Sequence, residues 1–207
     1  MAGDPILDSN QLHMKQTTLC YLEQNGCFLM LHRVKKKNDA SHDKWIGVGG
    51  KCEGDESPDE CMLREVYEET GLYVLEWQYR GIVTFISDIW PCEYMHLFTA
   101  SKWTGRDPAK QTAFTFDNLD LQSKTDSLND SRTNNVPPQE PFVCDEGDLQ
   151  WVDKEELFSL NLWPGDRIFL RLLMDAQQPF FSLKLVYKGD ELMAAKLDGK
   201  QLSLDMI

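Results

Sequence analysis

The sequence lacks an apolar run long enough to cross a membrane. Its longest runs, such as "CFLML" and "FFSLKLV", fall far short of the roughly 18 residues that a spanning helix needs. The N-terminal stretch "MAGDPILDSNQLHMK" also lacks the basic and then apolar pattern of a secretory signal. We therefore expect a cytoplasmic protein that does not associate with a membrane.

Cysteine motifs are missing as well. The six cysteines form no C-x-x-C pair, and no histidine stands near them at zinc-finger spacing. This pattern argues against a zinc finger and, in a chain of this size, against a disulfide framework. We expect reduced and mostly buried thiols.

Positive charge is scarce, because 21 Lys and Arg residues face 34 Asp and Glu residues, for a formal net charge of −13. Such a surface repels a phosphate backbone, which excludes nucleic-acid polymers as the main partner. A small nucleotide stays compatible with this charge, since metal ions can neutralise both its phosphates and the acids that hold them.

The chain instead contains alternating strand and helix patterns. Asn25-Gly26 marks a hairpin, "YRGIVTFISD" and "YMHLFTASKW" read as a second strand pair, and "DLQWVDKEELFSL" reads as a strand with a short helix. "PGDRIFLRLLMDAQ" has helical spacing, and Gly189-Asp190 marks a closing hairpin. Strands and helices interleave without regular βαβ repetition, which predicts one layered α/β domain with a mixed sheet.

The segment from about residue 104 to 141 differs in composition from the rest. Seventeen of these 38 residues are Ser, Thr, Asn or Asp. Loops this long are usually functional or disordered. We interpret the segment as a flexible insertion, with passive disorder preferred over a lid on the active site.

A strongly signalled helix lies at residues 58–70. Ser57 and Glu60 form an S-x-x-E capping box, Pro58 suits the first turn, and Gly71 suits the left-handed position after the helix. At helical spacing Leu63, Val66 and Tyr67 lie on a face expected to pack on the core. The opposite face is acidic.

That acidic face carries Glu65, Glu68 and Glu69, which share one narrow sector and repel one another. A solvated face would explain them, but the upstream "GVGGKCEGDE" favours a metal site. Glycines let the backbone approach closely, and a carbonyl there can join carboxylates as the hard oxygen ligands that Mg²⁺ prefers. Arg64 is expected to pair with Glu60 or Glu56 and to orient the acids.

Residues 50–72, "GKCEGDESPDECMLREVYEETGL", match the Nudix box G-x5-E-x7-R-E-U-x-E-E-x-G-U at every defined position, U being a bulky aliphatic residue. The chain is therefore identified as a member of the Nudix superfamily. "KWIGVGGK" and "DEGDLQWV" also resemble the MutT-type branch, closest to bacterial 8-oxo-dGTP diphosphatases. The resemblance implies an α/β/α sandwich around a mixed sheet, with residues 1–15 as an extension and residues 16–207 as the domain.

The resemblance implies a Mg²⁺-dependent enzyme, with Mn²⁺ as a substitute, that cleaves a nucleoside triphosphate to the monophosphate and pyrophosphate. The implied metal ligands are Gly49 through its carbonyl, Glu65, Glu68, Glu69 and Glu146. Either Glu65 or Glu68 would polarise the water, and Glu56 with Arg64 would support the site. Asp145 makes the Glu146 assignment uncertain by one residue.

The resemblance also implies that Ile46, Lys51, Trp163 and Asp166 bind the substrate, with a purine base held by Trp163 and Asp166. Asp166 has a structural alternative, as an acidic residue in the first turn of a helix. Relative to the human oxidised-purine triphosphatase, Ile46 replaces an Asn and Gly165 replaces a second Asp, so discrimination for an 8-oxo group must come from elsewhere. A sugar nucleotide is the alternative substrate class, and a non-catalytic nucleotide-sensing module is the alternative function.

Overall fold

The computed structural model describes residues 14–35, 41–107, 112–113 and 144–206. Its strands are β1 (Lys15–Gln24), β2 (Cys27–His32), β3 (Trp45–Ile46), β4 (Tyr73–Ser87), β5 (Glu93–Thr104), β6 (Arg106–Asp107), β7 (Thr112–Ala113), β8 (Asp148–Asp153), β9 (Phe181–Lys188), β10 (Glu191–Leu197) and β11 (Lys200–Gln201). Its helices are α1 (Pro58–Thr70), α2 (Pro164–Met174) and two 3₁₀ helices, Leu157–Ser159 and Leu204–Met206.

Nine of these strands form one mixed sheet. The strand order is β11-β10-β9-β4-β5-β1-β2-β3, and β8 pairs with β2 outside this path. The pairs β1–β5 and β4–β9 are parallel, whereas the pairs β4–β5, β9–β10 and β2–β8 are antiparallel. Strands β6 and β7 form a separate two-stranded ribbon. The predicted mixed sheet is confirmed.

The turns form where the sequence predicted them. Asn25 and Gly26 both have positive φ angles, 49° and 79°, as a two-residue hairpin turn with the native twist requires. In α1 the Ser57 side chain accepts a hydrogen bond from the Glu60 amide, the Glu60 side chain accepts one from the Ser57 amide, and Gly71 adopts the left-handed conformation. The predicted bounds of this helix are confirmed.

The two α-helices of the described chain cover opposite faces of the sheet. Along β1, Leu19 and Tyr21 belong to the core cluster that includes the apolar face of α2. Cys20 and Leu22, at the alternate positions, belong to the cluster that includes the apolar face of α1. This period of two produces the α/β/α layering, with β1 in the middle layer.

One residue of α1 lies elsewhere than expected. Val66 is fully buried, but Tyr67 is 44% exposed and packs on Tyr73 with ring centroids 4.5 Å apart. Met62, one turn before Val66, is buried in the core instead. The buried stripe of the helix is narrower than the spacing suggested, which leaves Tyr67 at its edge.

The insertion is described only where it begins. Thr104 ends β5, and the ribbon of β6 and β7 follows it. The remaining residues of 104–141, together with residues 1–13, lie outside the described part of the chain. Among the described helices, none is both long enough and apolar enough to span a membrane.

Candidate active site

The three acids of α1 share one side of the helix but differ in environment. Glu69 is buried at 6% exposure, the Glu65 side chain is half-buried, and the Glu68 side chain is more than half exposed. The α1 backbone is fixed by its caps and by Val66 in the core, so the spacing of these carboxylates is fixed too. Solvent exposure along this face therefore increases from Glu69, in the interior, to Glu68, in solvent.

Glu69 lies against the glycine-rich loop before α1. Its Oε2 accepts a hydrogen bond of 3.0 Å from the Gly49 amide. The pKa of Glu69 is raised to about 8, chiefly by burial and then by the charge of Glu146, with a smaller contribution from Glu65; the Gly49 hydrogen bond and Arg33 oppose the increase. Three acids are thus close enough to affect one another.

Glycine is required on this loop because there is no room for a side chain. A Cβ at Gly49 would lie 2.1 Å from the Thr18 carbonyl oxygen, and its φ of +153° also favours glycine. A Cβ at Gly50 would lie 2.6 Å from the Glu65 carboxylate. The loop backbone is therefore in close contact with the carboxylates of Glu65 and Glu69.

Arg64 connects the loop to the acidic face. It donates two hydrogen bonds to Glu56, and Nη1 donates to Glu65 and to Glu68, each at 2.9 Å. The pKa of Glu56 is held down to about 2, and its hydrogen bonds from Arg64 are the largest cause. Glu60 is occupied by the helix cap, so of the two predicted partners of Arg64 the structure contains Glu56.

Glu146 reaches the same cluster from the segment before β8. It forms an ion pair with Arg33 of the loop after β2, and its charge raises the pKa of both Glu69 and Glu65. Asp145 beside it is exposed. Of the two neighbouring candidates, Glu146 is the acid that lies with the α1 carboxylates.

The donor chemistry of this cluster fits a hard divalent cation. Carboxylates that mutually raise their pKa values, beside a glycine backbone with its carbonyls, form a concentration of negative oxygen ligands. Arg64 and Arg33 neutralise part of that negative charge. Within the described ranges, no three His, Cys, Asp or Glu side chains already stand at metal-binding distances from one another.

A cavity of about 330 Å³ begins at this loop. Its lining includes Gly49, Gly50 and Lys51 of the glycine-rich loop, together with Arg33. The cavity is of the size expected for a small-molecule site, about 300–1,000 Å³. The same cavity is lined by residues that the sequence assigned to a base pocket: Ile46, Trp163 and Asp166.

Asp166 lies in the first turn of α2, and it also faces the cavity. It is buried at 6% exposure. Its position is compatible both with a base-pocket residue and with an acidic residue in the first turn of a helix. Burial raises its pKa to about 8; Lys44 lowers that pKa and Glu93 raises it. Its carboxyl group is therefore largely protonated near neutral pH.

Trp163 is held in place by three neighbours. Its Nε1 donates to the Ser41 hydroxyl at 3.3 Å, the Lys44 ammonium lies 4.8 Å from its ring centroid, and Tyr187 meets it edge-on at 6.0 Å. The indole is half-buried and lines the cavity. A flat partner could stack on it there.

Several cavity residues were not found from the sequence. They come from the floor of the sheet and from the loop after β4: Thr17, Phe85, Trp90, Glu93, Met95, Leu185 and Tyr187. Arg33 was not singled out either. No local pattern distinguishes these residues, since they meet only through strand pairing between distant segments.

Comparison with known proteins decides the family. The family described as the NUDIX domain matches residues 13–173, which is more than half of the chain. This chain belongs to the Nudix family. Nudix hydrolases act on small-molecule nucleotide substrates and generally use divalent metal ions such as Mg²⁺.

Individual Nudix relatives agree with this assignment. The chain is 25% identical over 194 residues to a Bacillus subtilis (strain 168) protein named "Uncharacterized Nudix hydrolase YvcI", covering 92% of this chain and 98% of that protein. The crystal structure of a MutT protein from Bacillus halodurans superposes with a TM-score of 0.62 at 21% identity, covering 90% of this chain and 99% of the other. A MutT Nudix hydrolase from Burkholderia pseudomallei gives 0.53 at 17% identity, with coverages of 77% and 97%. The Nudix fold is thereby confirmed.

Proposed function

We propose that this protein is a Mg²⁺-dependent nucleoside triphosphate pyrophosphohydrolase that cleaves 8-oxo-dGTP to 8-oxo-dGMP and pyrophosphate. The observation that carries the proposal is one continuous cavity, whose lining includes both the acid-backed glycine loop and a pocket with an indole and a buried carboxyl group. A nucleotide has the same polarity, with phosphates at one end and a flat base at the other.

The metal would be held at the loop end by the cluster described above: the Gly49 carbonyl, Glu65, Glu68, Glu69 and Glu146. Bound there, Mg²⁺ would neutralise phosphate charge and lower the pKa of a water molecule. Arg33 and Lys51, which line the same end, would attract the phosphates.

Glu65 is the better of the two candidates for taking the proton from the attacking water. Its side chain lies against Gly50, which lines the cavity, and is mostly buried, whereas the Glu68 side chain is more than half exposed. Arg64 donates to both acids and is itself held by Glu56, so this pair would orient Glu65 rather than react.

At the other end, the base would stack on Trp163 and hydrogen-bond with Asp166. Stacking on an aromatic side chain contributes about 1–3 kcal/mol per base in single-strand binders. Asp166 can donate a hydrogen bond when protonated and accept one when ionised. Ile46 contributes only apolar contact.

A steady-state substrate panel tests the proposal. Pyrophosphate release is measured with 8-oxo-dGTP, dGTP and dCTP, and nucleoside monophosphate release is measured with a UDP-sugar, on wild type and Asp166→Ala. We expect pyrophosphate from the purines, with the variant losing kcat/KM selectively for them. Preferred cleavage of the UDP-sugar would contradict the proposal. Nucleotide binding without any cleavage in Mg²⁺ would instead indicate a sensor.

A further inference from the structure

A second, partly buried carboxyl group lines the same cavity as Asp166. Glu93 is the first residue of β5, 73 residues before Asp166 in the chain, and both line this cavity. The parallel ladder pairs Glu93 with Lys15 and Met95 with Thr17, and these four residues all line the cavity floor. Asp166 comes from α2, so the two acids reach the cavity from different layers of the fold.

The two acids are close enough to interact electrostatically. The charge of Glu93 raises the pKa of Asp166, in addition to burial and against the opposing effect of Lys44. Burial also raises the pKa of Glu93. Burying two neighbouring acids costs free energy, and hydrogen-bond donors on a ligand would offset that cost.

Nearby groups offset this cost only in part, since the Thr17 side chain and the charge of Lys15 lower the pKa of Glu93 but burial raises it by more. Within the described residues no ion pair joins Lys15 to Glu93, although the two are neighbours on the ladder. Lys44 hydrogen-bonds to Asn161 at 2.8 Å and lies over the Trp163 ring. The Glu93 carboxyl group still lines the cavity, where a ligand can reach it.

We propose that Glu93 is a specificity-determining residue, which together with Asp166 selects a purine that presents hydrogen-bond donors on two edges. This inference rests on the proposed function and deepens it. It also supplies a source of discrimination that the apolar side chain of Ile46 cannot provide.

The chemistry of guanine explains the selection. Guanine offers donors at N1 and at its 2-amino group, but its N7 is an acceptor and would meet a carboxylate lone pair. Oxidation at C8 places a hydrogen on N7, so the oxidised base has donors on both edges. A protonated Asp166 can donate to O6 of guanine and accept from N1, while a Glu93 carboxylate accepts from the N7 hydrogen of the oxidised base but opposes the N7 lone pair of the unoxidised base.

The test compares Glu93→Gln and Glu93→Met with wild type, and uses Glu76→Gln as the matched control. Glu76 is an exposed acid on β4, paired with Lys102 away from the cavity. Two ratios are measured: kcat/KM for 8-oxo-dGTP over dGTP, and the calorimetric affinity of 8-oxo-dGMP over dGMP without metal. Thermal melting verifies that each variant is folded.

We expect both ratios to fall by about 10-fold or more in the two Glu93 variants and to stay unchanged in Glu76→Gln. Equal effects on the oxidised and unoxidised nucleotides would overturn the inference while leaving the proposed function intact. If the wild-type protein cleaves neither triphosphate, but the ratio of binding affinities is lower in the Glu93 variants than in wild type, the proposed function is overturned and the role of Glu93 in base selection is supported. Wild-type binding that does not depend on the base would overturn both.

Discussion

Arg64 binds Glu56 through two parallel hydrogen bonds, from Nε to Oε1 at 2.6 Å and from Nη2 to Oε2 at 2.9 Å. The same guanidinium reaches Glu65 and Glu68 through Nη1. One planar group thus fixes the loop before α1 relative to the acidic face of the helix. A lysine cannot reproduce this fork, because its ammonium is a single point of charge.

Arg64→Lys should therefore lower kcat by about 10- to 100-fold, the range seen when a group that orients a ligand is lost. The stability cost should stay below about 1 kcal/mol, since exposed and half-exposed ion pairs contribute little. Kinetics and urea unfolding measure the two effects. Arg171→Lys, on the exposed side of α2, is the matched control and should behave as wild type.

Glu65→Gln should lower turnover by at least about 10²-fold without unfolding the protein, because it removes a charge with little change of shape. Steady-state kinetics over a Mg²⁺ series, with circular dichroism for folding, measures this. The control is Glu60→Gln on the same helix, since glutamine also satisfies a capping box. Near-normal turnover of the Glu65 variant would mean that the metal site lies elsewhere.

The pKa of Asp166 should make the folded protein less stable as pH rises. Its folded pKa is about 8 and its ordinary value is 3.8, so between these values the native state binds more protons than the unfolded state. The contribution of Asp166 to the free energy of unfolding is fully present below pH 4. It declines up to about pH 8, by at most about 1.4 kcal/mol per pH unit. The titratable groups facing it are Lys44, Glu93, Tyr21 and Tyr187.

Urea unfolding at pH 5 and pH 8 checks this slope in Asp166→Asn, which should be less sensitive to pH than wild type. Asp190→Asn, in the exposed turn before β10, controls for removing any aspartate. If the two variants show the same pH dependence, the buried carboxyl group is not the cause.

Gly49→Ala should destabilise the protein by about 2–3 kcal/mol and reduce activity. The new Cβ would meet a backbone carbonyl at 2.1 Å, which no change of rotamer can relieve. Gly189→Ala is the control, because that residue has φ +57° but open space, so only the backbone cost of about 1–2 kcal/mol applies. Chemical denaturation compares the two. A smaller loss at Gly49 than at Gly189 would contradict the packing argument.

The insertion should be dispensable for folding. Replacing residues 114–140 by a short Gly/Ser linker, which keeps the β6–β7 ribbon, should leave Tm within a few degrees. The reasons are that the segment is polar and that closing a long loop costs little. Differential scanning calorimetry measures the outcome. A large loss of Tm would show instead that Phe114, Phe116 or Leu119 packs on the core.

Features determined by neighbouring residues could be predicted from the sequence. The α1 bounds follow from a capping box and a glycine within a few positions of the helix ends, and the first hairpin follows from Asn25-Gly26. The box acids could be placed on one side of α1 because their spacing is local. Tyr67 was misplaced because helical spacing gives the direction of a side chain but not the width of the buried stripe.

Features that depend on pairing between distant strands could not be predicted. Glu93 enters the cavity because β5 lies parallel to β1 in one particular register. A shift of one residue would turn its side chain to the other face of the sheet. Nothing within ten residues of Glu93 specifies that register, and the same holds for Leu185 and Tyr187 on β9.

The parallel pairing of β4 with β9 has a consequence for synthesis on the ribosome. Gly81 pairs with Phe181 and Ser87 with Tyr187, so this edge of β4 stays open until about a hundred further residues have been made. An unpaired strand edge can pair with another chain. Nascent chains that stall before Phe181 should therefore be both unable to form the base pocket and prone to aggregate, and expression at lower temperature should favour intact protein.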